Sequence, residues 1–227
     1  MRDLRDLIVR WQRGWGVARA LPAAEDVDGG LRLRCMQPGR DVEYIATDAG
    51  ADRASLTKLA ELVAGEDSVT WLTVPTTDPA GTASALTAAG LVLLKRSELL
   101  MTADLDGHPQ STPAAPYRLL TQIDAHRGGR VVTATVRHED GEVSAHGSMG
   151  LAGPDAVADR IETVSAHRRN GLASAVMSAL TRSARDEGAE HGILIASEEG
   201  QRLYTTLGWQ PVADVLIATT PGNRYPS

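Results

Sequence analysis

The stretch that most constrains this 227-residue chain runs from Arg160 to Ala184. A strand-like run, Arg160-Ile161-Glu162-Thr163-Val164, leads through His167-Arg168-Arg169-Asn170-Gly171-Leu172-Ala173 into a second pattern. There Leu172, Val176, Ala179, Leu180 and Ala184 recur at the period of an amphipathic helix. An Arg-x-x-Gly-x-Ala turn between strand and helix leaves several backbone N–H groups without partners at the helix start. Those groups and the helix dipole favour a negatively charged ligand, typically phosphate or pyrophosphate. Gly171 lets the backbone come close to such a ligand, and Ala173 keeps the first turn free of bulk. The same pattern occurs at Arg13-Gly14-Trp15-Gly16-Val17-Ala18. That copy lies within a helical pattern (Leu4, Leu7, Ile8, Trp11, Trp15), so no phosphate-binding turn is expected there.

After the break at Glu187-Gly188, the apolar run Gly192-Ile193-Leu194-Ile195-Ala196 reads as a buried strand. Ser197-Glu198-Glu199-Gly200-Gln201-Arg202-Leu203-Tyr204-Thr205-Thr206-Leu207-Gly208-Trp209 follows it. With these two motifs in order, residues 130 to 218 resemble the GNAT superfamily of N-acetyltransferases. Arg168–Ala173 is similar to the family's Arg/Gln-x-x-Gly-x-Gly/Ala loop. Ser197, Gly200, Tyr204, Gly208 and Trp209 resemble its later Asn-x-x-Ala-x-x-x-Tyr-x-x-x-Gly-Phe signature, with the spacing kept. The resemblance implies an α/β (α+β) fold: a mixed, largely antiparallel sheet flanked by helices, here present as two halves.

The composition, 42% hydrophobic and 23% charged, is that of a soluble globular protein. No run of 18 apolar residues predicts a transmembrane helix, and the acidic start lacks the apolar core of a signal peptide. Cys35 is the only cysteine, which excludes an internal disulfide and fits the cytoplasm. Nothing around Cys35 suggests an activated nucleophile. Net charge is −6, with 12 basic and 16 acidic residues in 1–110 and 11 and 13 in 111–227. Neither half has the basic footprint of a nucleic-acid binder, and no membrane contact is expected. The six histidines show no metal-ligand spacing, so no metal is expected.

Along the first half, residues 3–20 read as a helix, 25–30 as an acidic turn, and 31–35 and 41–46 as strands. A helix over 54–63 follows, then a strand over 69–74 stopped by Pro75, a helix over 80–89 and an extended run over 91–101. This parallels residues 158–218, which points to an internal repeat. Laying Leu86–Leu91 over Tyr204–Trp209 aligns Gly90 with Gly208 and puts Leu86 where Tyr204 stands. The first copy has no Arg-x-x-Gly-x-Ala between its strand and helix. Residues 1–105 are therefore read as a degenerate half, the Pro-rich 106–116 as a linker and 117–227 as the acetyltransferase domain. In the second half, Tyr117–Gln122 and Arg130–His138 read as strands, with a hairpin at Glu139–Glu142. The two helices that usually follow the family's first strand are missing, and the first half is expected to wall the acceptor cleft instead.

The resemblance implies transfer of acetyl from acetyl-CoA, as cosubstrate, directly to an amine on a small molecule or a protein. Thr163 and Val164 would pair with the pantetheine amides. Arg168, Arg169, Asn170, Gly171, Leu172, Ala173 and Ser174 would hold the pyrophosphate, with Ser197 nearby. Tyr204 would protonate the leaving thiolate. Glu162 is the first candidate base and Asp159 the second, but successive strand residues face opposite ways, so only one faces the site unless a bulge intervenes. His146 and Glu139 are further candidates. A module that binds acyl-CoA without turnover is the other function class, and the acceptor's identity is not readable.

Overall fold

In the computed structural model, residues 3–48, 53–94 and 97–224 are described. The first half comprises α1 (Leu4–Ala18), β1 (Glu25–Val27), β2 (Gly30–Gln37), β3 (Arg40–Ala46), α2 (Arg53–Ala64), β4 (Thr70–Thr76), α3 (Pro79–Ala88), β5 (Val92–Leu93) and β6 (Glu98–Asp104). The second comprises β7 (Arg118–His126), β8 (Gly129–Arg137), β9 (Val143–Ala152), β10 (Asp155–Thr163), α4 (Leu172–Asp186), β11 (His191–Ser197), α5 (Glu198–Thr206) and β12 (Gln210–Thr219). All twelve strands join one sheet, with the path β1-β2-β3-β4-β12-β6-β11-β10-β9-β8-β7 and β5 beside β12. Apart from the parallel pairs β3–β4 and β10–β11, every neighbouring pair is antiparallel.

The halves repeat one another locally. Each has a parallel pair joined by a helix: β3-α2-β4 and β10-α4-β11. Helices α3 and α5 end in the same cap. Gly90 and Gly208 sit at φ +84° and +88°, and Leu91 and Trp209 donate their N–H to the carbonyls of Leu86 and Tyr204. That is the Schellman arrangement, in which glycine bears the left-handed residue without a Cβ penalty. It places Leu86 and Tyr204 at equivalent positions. The intervening 49–52, where the first half was expected to lack the phosphate turn, lie outside the described residues, as do 95 and 96 of the expected extended run.

The last strands cross over. β6 pairs with β11 of the second half, and β12 pairs with β4 of the first. Glu98 stands opposite Ser197, and Asp214 opposite Thr76. Where β6 and β12 meet, the pairs Leu99–Asp214 and Glu98–Val215 interchange when the strands are exchanged, a local two-fold relation. The crossing buries both strands between neighbours and leaves neither as an edge.

Two helices cover opposite faces of the second half. Leu172, Val176 and Leu180 of α4 pack with Ala156 and Ala158, whereas Trp11 and Trp15 of α1 pack with Val157, on the other face of β10. Arg10 and Arg19 fasten α1 to β10 through Asp155 and Asp159. In the first half, Leu56, Leu59 and Leu86 of α2 and α3 form a third cluster with Leu72 and Val74. The segment over 104–116 is anchored: buried His108 accepts from Trp209 Nε1 at 3.3 Å, and the Ser111 N–H donates to Ser178 Oγ at 2.9 Å.

Two local expectations need correction. Residues 25–27 form β1 on β2, not a turn. β4 also runs through Pro75 to Thr76, because β3 accompanies it only to Thr73. At Pro75 the strand has one partner, and a missing N–H is tolerated there.

Candidate functional site

β10 and β11 pair only from Asp155–Val157 to His191–Ile193. Beyond that point β10 stays on β9 as far as Thr163, and β11 stays on β6 as far as Ser197. Their facing edges part, which leaves backbone groups of β10 open to an added strand-like partner. The wedge opens into a cleft of about 910 Å³.

The expected phosphate turn forms one wall. A 3-10 turn at Ser165–His167 leads to Arg168, and Arg169 and Gly171 both sit at φ +70°. Gly171 is the N-cap of α4, and the first helical bond runs from the Ala175 N–H to the Gly171 carbonyl. The amides of Leu172, Ala173 and Ser174 therefore lack helical acceptors and point out of the helix start. A Cβ placed on Gly171 would meet nothing within 4 Å. What demands glycine is its backbone angle, and the space above it is open. Arg168 and Arg169 are exposed beside it.

Most of the residues singled out from the sequence converge here. Thr163, Arg168, Arg169, Gly171, Leu172, Ala173, Ser174, Ser197 and Tyr204 all line the cleft, as do Asp159 and Glu162. Val164 and Asn170 do not. Val164 donates its N–H to the Ser144 carbonyl at 2.9 Å, and the Asn170 amide folds back on the His167 carbonyl at 3.1 Å. His146 and Glu139 are not among the lining residues. Thr163 Oγ1 is buried without a hydrogen-bond partner, an unsatisfied group on the cleft wall.

Asp159 and Glu162 share a face, because a bulge separates them. Asp159 is opposite Ser148 and Glu162 opposite His146 on β9, three residues against two. Arg160, at φ +52°, takes up the extra residue. Their surroundings still differ. Asp159 accepts two hydrogen bonds from Arg19, at 2.7 and 2.8 Å, whereas Glu162 is exposed on the cleft.

On the opposite wall, α5 begins at Ser197, whose Oγ accepts the Gly200 N–H at 3.3 Å. One turn further, Tyr204 is 8% exposed, with its ring 6.1 Å from that of buried Trp209. Burial pushes the Tyr204 phenol up to about 12, with the Asp159 charge adding to the effect.

Residues 97–209 match the model of the acetyltransferase (GNAT) family. This part of the chain belongs to the GNAT family. Solved GNAT structures share its fold at low identity. A GCN5-related N-acetyltransferase from Kribbella flavida has a TM-score of 0.70 at 17% identity, over 97% of this chain and 96% of that one. A tandem GNAT protein from the clavulanic acid biosynthesis pathway has a TM-score of 0.58 at 16% identity, over 82% and 76%. A GCN5-related N-acetyltransferase from Sphaerobacter thermophilus has 0.62 at 11%, over 87% and 79%. Comparison with curated protein sequences returned no match. The GNAT fold supports acyl-CoA-dependent acetyl transfer in general. The residues here fit that cosubstrate: free helix-start amides, an open space over Gly171 and an unpaired strand edge suit a pyrophosphate joined to an amide-bearing arm.

What the sequence did not reveal is a smaller cavity next to this cleft, built largely by the first half. Among the described residues there is no group of His, Cys, Asp or Glu able to hold a metal, and no helix long and apolar enough to cross a membrane.

Proposed function

We propose that the chain is an N-acetyltransferase that moves an acetyl group from acetyl-CoA directly to an amine, without a covalent enzyme intermediate. The observation that carries this reading is the convergence of the 168–174 turn, the open edge of β10 and Tyr204 on one cleft. Bound acetyl-CoA supplies an activated acyl thioester. The amides of 172–174 hold its pyrophosphate, with Arg168 and Arg169 adding charge. The edge of β10 around Thr163 takes the pantetheine arm, and the orphan Thr163 hydroxyl gains a partner there. Glu162 accepts the amine's proton, since Asp159 is committed to Arg19. Tyr204 donates to the departing sulfur.

Residues 1–105 are a degenerate GNAT-like copy, 106–116 a linker and 117–227 the acetyltransferase domain. The shared α3/α5 cap and the exchanged last strands support that division. A lone, buried thiol suits work in the cytoplasm.

One observation favours the rival reading, an acyl-CoA-binding module without turnover. β7 passes straight into β8 through Arg127-Gly128, with no helix between them. Release of CoA thiol, followed across a panel of amines, separates the two. Cys35 stays silent in that assay, because burial pushes its thiol up to about 12. Amine-dependent release matched by acetylated amine supports transfer. Tight binding of acetyl-CoA with no release to any amine supports the module.

A further inference from the structure

The two ends of the sheet differ. At one end β1 is three residues long and carries Glu25 and Asp26, which blunt it as an edge. At the other end β7 runs for nine residues with only β8 beside it. Its register with β8 is unbroken from Arg118 to His126, and it contains neither proline nor lysine. None of the usual devices therefore guards its free row of N–H and C=O groups. Seven of its nine residues are exposed, among them Leu120 at 60% and Ile123 at 41%. Leu119, Thr121 and Ile123 stand opposite Val136, Ala134 and Val132, which belong to the core beneath α4. On the other face Arg118 stands opposite Arg137, a like-charge pair. Asp124 accepts from the neutral Gln122 amide at 2.9 Å, which leaves its charge uncompensated. Among the described residues neither Arg118 nor Asp124 has an ion-pair partner within the chain.

We propose that β7 pairs antiparallel with β7 of a second copy of this chain, about a two-fold axis at Thr121, so that the two sheets become one. The inference stands apart from the acetyltransferase reading. In an antiparallel ladder, facing residues point their backbone groups both towards or both away from each other. A strand that meets its own copy is therefore centred on a residue, not between two. Centring on Thr121 brings Arg118 opposite the partner's Asp124 and Leu119 opposite the partner's Ile123, each pair occurring twice. Arg118 thereby gains the carboxylate that Arg137 does not offer, and Ile123 gains an apolar neighbour on its core face. Leu120 faces the partner's Gln122, with the partner's Leu120 at the diagonal position. The other centres fit less well. Centring on Gln122 sets Leu120 against the partner's Asp124, and centring on Leu120 joins only residues 118–122. Centring on Ile123 leaves Arg118 beyond the paired stretch. Main-chain bonds supply the attraction, and the exposed charge pairs select the register. The contact is isologous and uses up the long edge of both copies, so assembly stops at two.

A pairing of this length is small beside a standard interface, so association is read over a wide concentration range. Sedimentation velocity of the full chain from about 1 to 200 μM is expected to show a shift from one chain to two. Arg118→Glu should weaken the dimer at least about tenfold, and Asp124→Arg added to it should restore most of the loss. Both positions lie on the outer edge, so circular dichroism should show every variant folded. Cross-linking tests the register. Thr121→Cys places two thiols directly across the axis, within reach of a disulfide under mild oxidation. Ile123→Cys places them four residues out of register, roughly 13 Å apart along the strands, and should not cross-link. Cys35 takes no part, because it is buried and its thiol is pushed up to about 12. A chain that stays single over the whole range overturns the proposal. So does a dimer that Arg118→Glu leaves unchanged, or one that Ile123→Cys locks and Thr121→Cys does not.

Discussion

Arg19, one residue past the end of α1, holds Asp159 of β10 through two parallel hydrogen bonds, Nε to Oδ2 at 2.7 Å and Nη2 to Oδ1 at 2.8 Å. Both oxygens of Asp159 are thereby occupied, although the bulge turns this residue and Glu162 to the same face. Proton abstraction is assigned to Glu162 for that reason. Glu162→Gln is expected to lower the turnover rate by roughly 10²–10⁴. Asp159→Asn is expected to act mainly on stability. Steady-state kinetics of the two variants check the assignment, and an inactive Asp159→Asn beside a fully active Glu162→Gln would reverse it. Arg19→Ala should cost about 2 kcal/mol in chemical denaturation, below the ~3–5 of a fully buried pair because both partners keep some exposure.

Tyr204→Phe keeps the ring against Trp209 and removes only the proton. The rate should fall by roughly 10²–10⁴ while acetyl-CoA affinity hardly changes. The sign of the pH effect follows from burial. With its value raised to about 12, the phenol stays protonated through the working range, so it contributes no falling limb to the rate between about pH 8 and 10. Its contribution to stability is complete below the ordinary tyrosine value and is lost as pH rises towards 12. A Phe variant with wild-type turnover would reduce Tyr204 to a packing residue.

A different pH dependence arises at His108. Its Nε2 accepts from Trp209 Nε1, and its Nδ1 lies 3.1 Å from the Pro109 carbonyl, an arrangement that suits the neutral ring. Burial lowers its pKa, so the unfolded chain takes up the proton first as pH falls. Stability from this site is therefore complete above the ordinary histidine value and lost on acidification. Melting temperatures at about pH 5 and 7 should differ more for the wild type than for His108→Asn. Equal pH sensitivity in the two would discount the site.

The exchanged strands make the halves interdependent. A fragment beginning at residue 117 lacks β6, so β11 loses one neighbour and β12 loses β4, β5 and β6. Exposed edges of that kind associate, so the fragment should be insoluble or should not bind acetyl-CoA. A soluble, monomeric fragment with full affinity would show the halves to be separable.

Local signals were legible in the sequence where the chemistry is local. The 3.6 period through Leu172, Val176 and Leu180 places α4, and the turn ahead of it folds as the motif implies. Ser197 and Gly208 mark the ends of α5. Pairings between distant segments were not legible. No residue near Glu98 signals that β6 will lie between β11 and β12, because strand order is set by the packing of whole faces. The bulge after Asp159 carries no glycine to announce it; Arg160 takes the positive φ instead. Trp15 and Trp71 lie far apart in the chain, and only the folded sheet brings them to the same guanidinium.

The central claim is that acetyl-CoA is held at the start of α4. Calorimetric titration of acetyl-CoA into the wild type and into Gly171→Val, with circular dichroism to establish that both are folded, tests it most directly. One site per chain is expected in the wild type. In the variant, a β-branched side chain at φ +70° stands in the space meant for the pyrophosphate, and binding should be lost or weakened at least about 100-fold. Unchanged affinity in a folded Gly171→Val protein would contradict the account.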